Sequence, residues 1–169
     1  MFKFKALVLA AALATPLVAS AAQYTFVGSW QVDQGPSWRT NPPVYSGQEA
    51  AALLFGGSFS DYAISIDANP ANVTHTAWYD GWGVHDSNGT GVDNIFADNF
   101  HKDTGGTGYN SAPGTGSAFS SYVSDGLFGA KYTNYAYRVA AVPEPQTYAL
   151  MGLGLAAVAM ARRRNKSVA

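Results

Sequence analysis

The sequence predicts a mainly β fold: an antiparallel, jelly-roll-like β-sandwich of about seven to nine strands with one short helix. Segments in which apolar and polar residues alternate recur along the chain between turn-forming residues, as in half-buried strands. The region between the two ends is rich in Gly, Ser, Thr, Asn and Tyr, which favours turns and strands over solvated helices. Each end carries an apolar segment of its own, which adds an N-terminal signal helix and a C-terminal transmembrane helix to the predicted fold.

The N-terminus has the pattern of a secretory signal peptide. Two lysines precede a short apolar run, 6–18, and small residues follow it. A charged start, a short apolar middle and an A-x-A ending at Ala19 and Ala21 are typical of a segment that signal peptidase removes. The run is shorter than the ~20 residues that a membrane span needs. We therefore predict a signal peptide over 1–21, with cleavage after Ala21 or Ala22.

The first half of the remaining chain predicts one strand, one loop and the only helix of the exported domain. Segment 23–32 alternates, and its apolar parity comprises Tyr24, Phe26, Gly28, Trp30 and Val32. Prolines and a glycine make 33–43 a loop. Ser46 with Glu49 three residues later forms a capping-box pattern, and a glycine pair closes the apolar run, which predicts a helix over 47–55.

The second half predicts further strands separated by polar loops. Alternating segments that predict strands are 61–67, 74–82, 95–100 and 132–139. Segment 104–116 is almost entirely Gly, Thr, Ser, Asn and Pro, which indicates a long surface loop. Segment 118–128 is apolar with mixed periodicity, so helix and strand both remain open there. Together these segments form one predicted exported domain, 22–141.

Charge and cysteine content exclude several function classes for this domain. It contains four Lys and Arg but ten Asp and Glu, which gives a net charge of −6. Nucleic acid and anionic membrane surfaces are therefore poor partners, because both bind basic surfaces. The chain has no cysteine, so it has no disulfide, no cysteine nucleophile and no thiolate metal site.

The C-terminal segment, 142–169, combines three features in a fixed order. An extended motif comes first, consisting of Val142, Pro143, Glu144 and Pro145. The two prolines fix φ and cannot donate helical hydrogen bonds, so they favour an extended chain. An apolar stretch, 147–161, predicts a transmembrane helix, and the basic cluster 162–166 follows it. The helix would cover roughly 22 Å of a ~30 Å hydrocarbon core, so the bilayer thins locally or flanking residues snorkel.

This order of motif, apolar helix and basic cluster resembles the PEP-CTERM sorting domain. The resemblance implies that an exosortase, a membrane-embedded cysteine peptidase, recognises the motif at 142–145 and cuts near it. The basic cluster acts as a membrane stop signal, because the positive-inside rule keeps it cytoplasmic; its arginines are Arg162, Arg163 and Arg164. The alternative is an ordinary C-terminal anchor that is never processed.

The two ends of the chain predict its export and its successive locations. The chain is an exported protein, first an inner-membrane-anchored precursor and then a cell-surface or extracellular protein. Its predicted transient partners are signal peptidase and exosortase, and the membrane holds its C-terminal helix. The resemblance implies a role in the extracellular polysaccharide matrix or a biofilm.

No cofactor is predicted, and calcium is the alternative. Segment 86–91 partly matches a calcium loop, but Ala97 stands where the bidentate Glu belongs. The weak ligand candidates are Asp86, Asn88 and Asp93. A transition-metal site is a further alternative, with the ligands His75, Asp80, His85 and Asp86, but core aromatics among surface polar residues explain that segment better.

Two functions other than a surface component remain open. A carbohydrate-binding module, with or without calcium, would use exposed tryptophans as stacking platforms; the candidates are Trp30, Trp38, Trp78 and Trp82. A hydrolase is the less favoured alternative, because the chain has neither G-x-S-x-G nor H-E-x-x-H. A glycosidase would need two of the aspartates in one cleft, and no pair is singled out. We therefore predict no catalytic residues and no enzyme.

Overall fold

The computed structural model describes residues 23–140, 151–156 and 158. A compact body spans Gln23–Ala140, and the two ends of the chain make up a second unit. The predicted signal peptide, 1–21, lies outside the described residues. No helix in the described part of the chain is long and apolar enough to cross a membrane.

The body is built from two antiparallel sheets and one α-helix. In chain order the elements are β1 (Gln23–Gln31), α1 (Gly47–Phe55), β2 (Tyr62–Ser65), β3 (Thr76–Gly81), β4 (Asn94–Ala97), β5 (Lys102–Asp103), β6 (Ala118–Ser120) and β7 (Thr133–Ala140). One sheet has the order β1-β7-β2 and the other the order β4-β3-β6-β5. The predicted mainly β architecture with one short helix is confirmed, and the two sheets are consistent with a sandwich. A jelly roll has eight strands, one more than the described residues form, so that finer description stays a prediction.

The helix α1 forms where the capping box predicts it. The Ser46 side chain accepts a hydrogen bond from the backbone N–H of Glu49, and the Glu49 side chain accepts one from the backbone N–H of Ser46. The helix ends at Gly56, whose φ of 77° lies in the left-handed region. Its apolar face packs on the core through Ala50 and Ala51, which are fully buried. Local sequence signals therefore determine both ends of this helix.

Strand β1 departs from the predicted single apolar face. A β-bulge lies between Phe26 and Gly28, so Val27 has no partner in the register with β7. The inserted residue moves Phe26 to the opposite face from Trp30, which is buried in the core. The prediction that Phe26 shares the buried parity is wrong, because the bulge interrupts the period of two. Gly28 after the bulge lets Phe55 approach, since a Cβ there would lie 2.6 Å from the Phe55 ring.

The second sheet contains part of segment 118–128, for which the sequence predicted either a helix or a strand. Residues Ala118–Ser120 form a fully buried strand, β6, and the chain then continues in irregular structure. Strand β5 has only two residues, and the sequence pattern did not indicate it. The loop predicted over 104–116 contains no strand or helix and joins β5 to β6. The strand predicted over 95–100 is shorter and earlier, at Asn94–Ala97.

Two apolar clusters stabilise the body. The larger cluster lies where both sheets meet α1 and comprises Trp30, Ala50, Ala51, Tyr62, Ile64, Ala77, Tyr79, Phe119 and Ala136. The smaller cluster lies beneath the long loops and comprises Val44, Tyr109, Ala112, Ala118 and Val123, with Trp38 and Trp82 packed against it. Because no disulfide is available, these clusters and the hydrogen bonds around them provide the stability of the body.

The packing of the 33–37 loop against the chain after β6 predicts a strict requirement for glycine. A Cβ at Gly35 would lie 2.3 Å from the backbone of Tyr122 and Val123, although its φ of −71° suits any residue. Gly35→Ala should lower the free energy of unfolding by about 2–3 kcal/mol, because backbone atoms must move. The measurement is urea unfolding of the full chain.

The matched control is Gly89→Ala, where φ is 79° but no atom lies within 4 Å of the new Cβ. We expect a loss of only about 1 kcal/mol from the left-handed backbone. A larger loss at Gly89 than at Gly35 would contradict the packing argument.

Candidate functional site

The first and last residues of the body lie next to each other, at the same end of two paired strands. Gln23, the first described residue, pairs with Ala140, the last residue of β7, and Tyr24 pairs with Val139. Strand β7 is the central strand, hydrogen-bonded to β1 on one side and β2 on the other. The predicted signal-peptidase site and the predicted sorting motif therefore flank one pair of strands.

The sorting tail itself is described only in part. Residues 151–156 and 158 are helical, and their apolar side chains are exposed. The rest of the predicted transmembrane helix over 147–161 lies outside the described residues. The other predicted processing residues also lie outside them, namely Ala19, Ala21, Val142, Pro143, Glu144, Pro145, Arg162, Arg163 and Arg164.

A chain of polar side chains joins the start of β1 to the middle of the body. The Tyr24 hydroxyl lies 2.9 Å from His75 Nε2, and His75 Nδ1 lies 3.3 Å from Asp98 Oδ2. The same Asp98 oxygen accepts a hydrogen bond from the buried backbone N–H of Ile64. His75 has a φ of 54°, a left-handed conformation that costs free energy in a non-glycine residue. This linkage ties the first residues of β1 to β2 and to the chain entering β3.

Two buried carboxylates lie on the opposite side of the core. Asp80 is the penultimate residue of β3, and its oxygens accept hydrogen bonds from the backbone N–H groups of Leu127 and Gly81. Desolvation, with a smaller contribution from the neighbouring charge of Asp125, raises the pKa of Asp80 to about 6. Burial likewise raises the pKa of Asp125, whose carboxylate accepts a 3.0 Å hydrogen bond from the Tyr109 hydroxyl. This pair holds the chain after β6 against β3.

A groove on the body lies beside β5. It has a volume of about 400 Å³ and is lined by Asn41, Pro43, Val44, His101, Asp103, Gly106, Thr107 and Gly108. Asp103 Oδ2 accepts a hydrogen bond from the N–H of Gly108, while Oδ1 is buried without a partner among the described residues. The ring of His101 is held by Glu49, 2.9 Å from Nδ1. Convergent polar groups in a concave surface suit a small polar ligand.

The weak calcium candidates already have partners within the protein. Asp86 accepts hydrogen bonds from Thr90 and Asn88, which hold the pKa of its carboxyl below the usual range. Asp93 is paired with the Lys131 ammonium and accepts a 2.6 Å hydrogen bond from the Tyr132 hydroxyl. Asp86 therefore stabilises its own turn, and Asp93 links its loop to the chain before β7. Calcium binding by Asp86, Asn88 and Asp93 stays a prediction.

The four tryptophans occupy different environments. Trp30 is buried, and its indole N–H donates to the Ser121 carbonyl. Trp38 and Trp82 are half-buried and packed together, with ring centroids 5.6 Å apart at an interplanar angle of 41°. Trp78 is half-buried and packs edge-on against Tyr132. Of the three half-buried tryptophans, Trp38 is the nearest in sequence to Asn41, which lines the groove beside β5.

The groups weighed for metal or hydrolytic chemistry do not form one cluster. Across residues 23–140, no set of three His, Asp or Glu side chains is placed to hold a metal ion. His75 contacts Asp98, whereas Asp80 lies with Asp125 in the other part of the core.

Comparison with known proteins identifies the tail. A family model described as the PEP-CTERM protein-sorting motif matches residues 141–164. No curated protein and no solved structure matches the chain. The match is consistent with an exported protein that is sorted by an exosortase and transiently anchored in the membrane. It begins at the residue after β7 ends, so it describes the tail and not the body.

Several residues that organise the body had no signal in the sequence. Tyr109 lies in a loop of Gly, Ser and Asn, and Asp125 follows an apolar segment of mixed periodicity. Asp80 is followed by a glycine, which suggested a turn and not a buried carboxylate. Only contacts between distant segments reveal their roles, and such contacts leave no local pattern.

Because Asp80 is buried, we expect the free energy of unfolding to decrease as the pH rises. Its pKa is about 6 in the folded chain against an ordinary value of 3.8 for an aspartate in water, so the folded state binds the proton more tightly than the unfolded state. The contribution of Asp80 to the free energy of unfolding should therefore decrease between pH 4 and 6, by on the order of 3 kcal/mol. Urea unfolding of the full chain at intervals from pH 4 to 7 measures this slope.

Asp80→Asn should remove most of this decrease, because the amide does not ionise. Asp86→Asn, a change at an exposed carboxyl, should retain it. Parallel pH profiles for the parent chain and Asp80→Asn would contradict the assignment.

Proposed function

We propose that the body is a cell-surface or extracellular-matrix component that reaches its destination through cleavage of its tail by an exosortase. The observation that carries the proposal is the PEP-CTERM match at 141–164, which starts directly after the central strand β7. Proteins with this sorting motif are typically non-enzymatic surface proteins. A folded body whose last strand is followed directly by a short processing tail fits this class of surface protein.

The geometry supports removal of both ends without damage to the fold. Cleavage after Ala21 or Ala22 leaves β1 intact, because its first paired residue is Gln23. Cleavage near Pro143 leaves β7 intact, because its last paired residue is Ala140. The mature protein would then be the compact body with a few residues at each end. A matrix or biofilm role for that body is part of the proposal.

The role of the extended motif can be tested by substitution. Changing Pro143, Glu144 and Pro145 together to alanine should leave uncut precursor in the membrane fraction, because the extended recognition element is lost. The measurement is fractionation of the producing cells with detection by an antibody against the body.

The matched control changes three exposed loop residues of the body, Pro70, Pro113 and Thr115, to alanine, and processing should continue. Release of the alanine variant at the parental level would contradict a role for the motif.

Carbohydrate binding is the second candidate function, and the groove beside β5 favours it. The Asp103 carboxylate lines the groove and provides an acceptor for a sugar hydroxyl, and the half-buried Trp38 ring lies three residues before Asn41 in the groove wall. Trp38 also packs on the cluster that contains Val44, another groove residue. The packing of Trp78 against Tyr132 makes that ring a weaker platform.

If the groove binds sugar, Trp38→Ala and Asp103→Asn should each weaken the binding of a glycan by at least about tenfold, as central interface residues do. Screening the full chain on a glycan array and then titrating the best glycan by calorimetry measures this. Trp78→Ala is the control and should bind normally. Equal losses in all three variants, or no glycan bound by the parent chain, would count against the groove.

A further inference from the structure

We propose that the end of the body from which the tail leaves is a docking surface for zwitterionic phospholipid. This docking surface comprises Phe26, Phe59, Asp61, Arg138 and Val139. The inference rests on the proposed function, since it requires the body to be tethered at the membrane before its release.

Three exposed apolar side chains lie toward this end of the sheet, two on strands and one in a turn. Phe26 of β1 and Val139 of β7 are 53% and 47% exposed and share one face of the sheet, because Phe26 pairs with Tyr137, two residues before Val139. Phe59 is 56% exposed and lies in the 3-10 turn directly before β2. The first residue of β2, Tyr62, pairs with Arg138, which places Phe59 at the end of the sheet near Ala140.

A shallow polar groove lies between the 3-10 turn that contains Phe59 and the end of β7. It is lined by Ser60, Asp61, Arg138 and Val139 and has a volume of about 360 Å³. The Arg138 guanidinium donates one hydrogen bond to the Tyr62 hydroxyl and lies over the Tyr62 ring. Asp61 caps its own turn by accepting from the N–H of Ser58. The groove thus presents a fixed cation and a fixed anion side by side.

The position of this surface indicates what covers it. The chain between Ala140 and residue 151, where the described tail helix begins, can reach about 40 Å at most when fully extended. If the tail is anchored in a bilayer, as the proposed function requires, this is the end of the body that is attached to it. Exposed aromatic and aliphatic side chains around paired charges suit the boundary between headgroups and acyl chains.

The charges select the kind of lipid. The body carries a net charge of −6, so a strongly anionic surface would repel it. A zwitterionic headgroup offers a phosphate for Arg138 and an ammonium for Asp61 in one molecule. Apolar insertion with a neutral headgroup pair therefore fits better than attraction to anionic lipid.

The absence of cysteine makes a direct test simple. The full chain, labelled at Ser60→Cys with an environment-sensitive fluorophore, is reconstituted into vesicles of phosphatidylethanolamine and phosphatidylcholine. We expect a blue-shifted emission and strong quenching by nitroxide-labelled lipid. The same label at Ala130→Cys, at the opposite end of β7, should remain in water and unquenched.

Two matched phenylalanine changes locate the contact. Phe59→Ser should reduce the ratio of docked to undocked molecules by about tenfold, the effect expected for removing one aromatic side chain from lipid. Phe128→Ser, also at an exposed phenylalanine but at the opposite end of the body, should change nothing. Vesicles rich in phosphatidylglycerol should dock less than the zwitterionic vesicles.

Flotation of the same vesicles separates the two proposals. Chains that float but show equally water-exposed labels at positions 60 and 130 overturn the docking surface and leave the anchored tail intact. Chains that do not float overturn both. Equal effects of Phe59→Ser and Phe128→Ser would also overturn the docking surface.

Discussion

The antiparallel pairing of β1 with β7 determines how the rest of the molecule is arranged. It places Gln23 opposite Ala140, so both ends of the body leave at one point of one sheet. Strand β7 is held on both sides, and the bulge in β1 turns Trp30 inward to meet α1 and the second sheet. Side-chain contacts also hold the start of β1, because Tyr24 contacts His75, which in turn contacts the buried Asp98. The first strand of the mature protein is therefore bound by backbone and side chains alike.

This arrangement separates processing from stability. The sorting motif at 141–164 starts at the residue after Ala140, the last residue of β7, so a cut within the motif leaves the paired residues of the sheet intact. The buried groups that stabilise the body lie away from that edge, around the Asp80 carboxylate and beneath the long loops. An exported chain without disulfides depends on such internal contacts, since nothing covalent closes its loops. The body can then remain folded before, during and after sorting.

The sequence predicted the features that depend on neighbouring residues. The capping box of Ser46 and Glu49 gave the bounds of α1, and alternation gave β7 to within one residue at each end. It did not predict the face of Phe26, because the bulge arises from the register with β7. It did not predict the burial of Asp80 either, since the N–H that satisfies its carboxylate comes from Leu127, far along the chain. The tail was recognisable in the sequence because its motif is defined by the composition and order of neighbouring segments and not by tertiary contacts.

The central claim is that the mature protein is the body alone, cut beside both members of the β1–β7 pair. Intact-mass determination of the protein released by the producing cells tests it most directly. The account predicts one species that begins at Ala22 or Gln23 and ends close to Pro143. A released or surface-bound protein that still ends at Ala169 would contradict it.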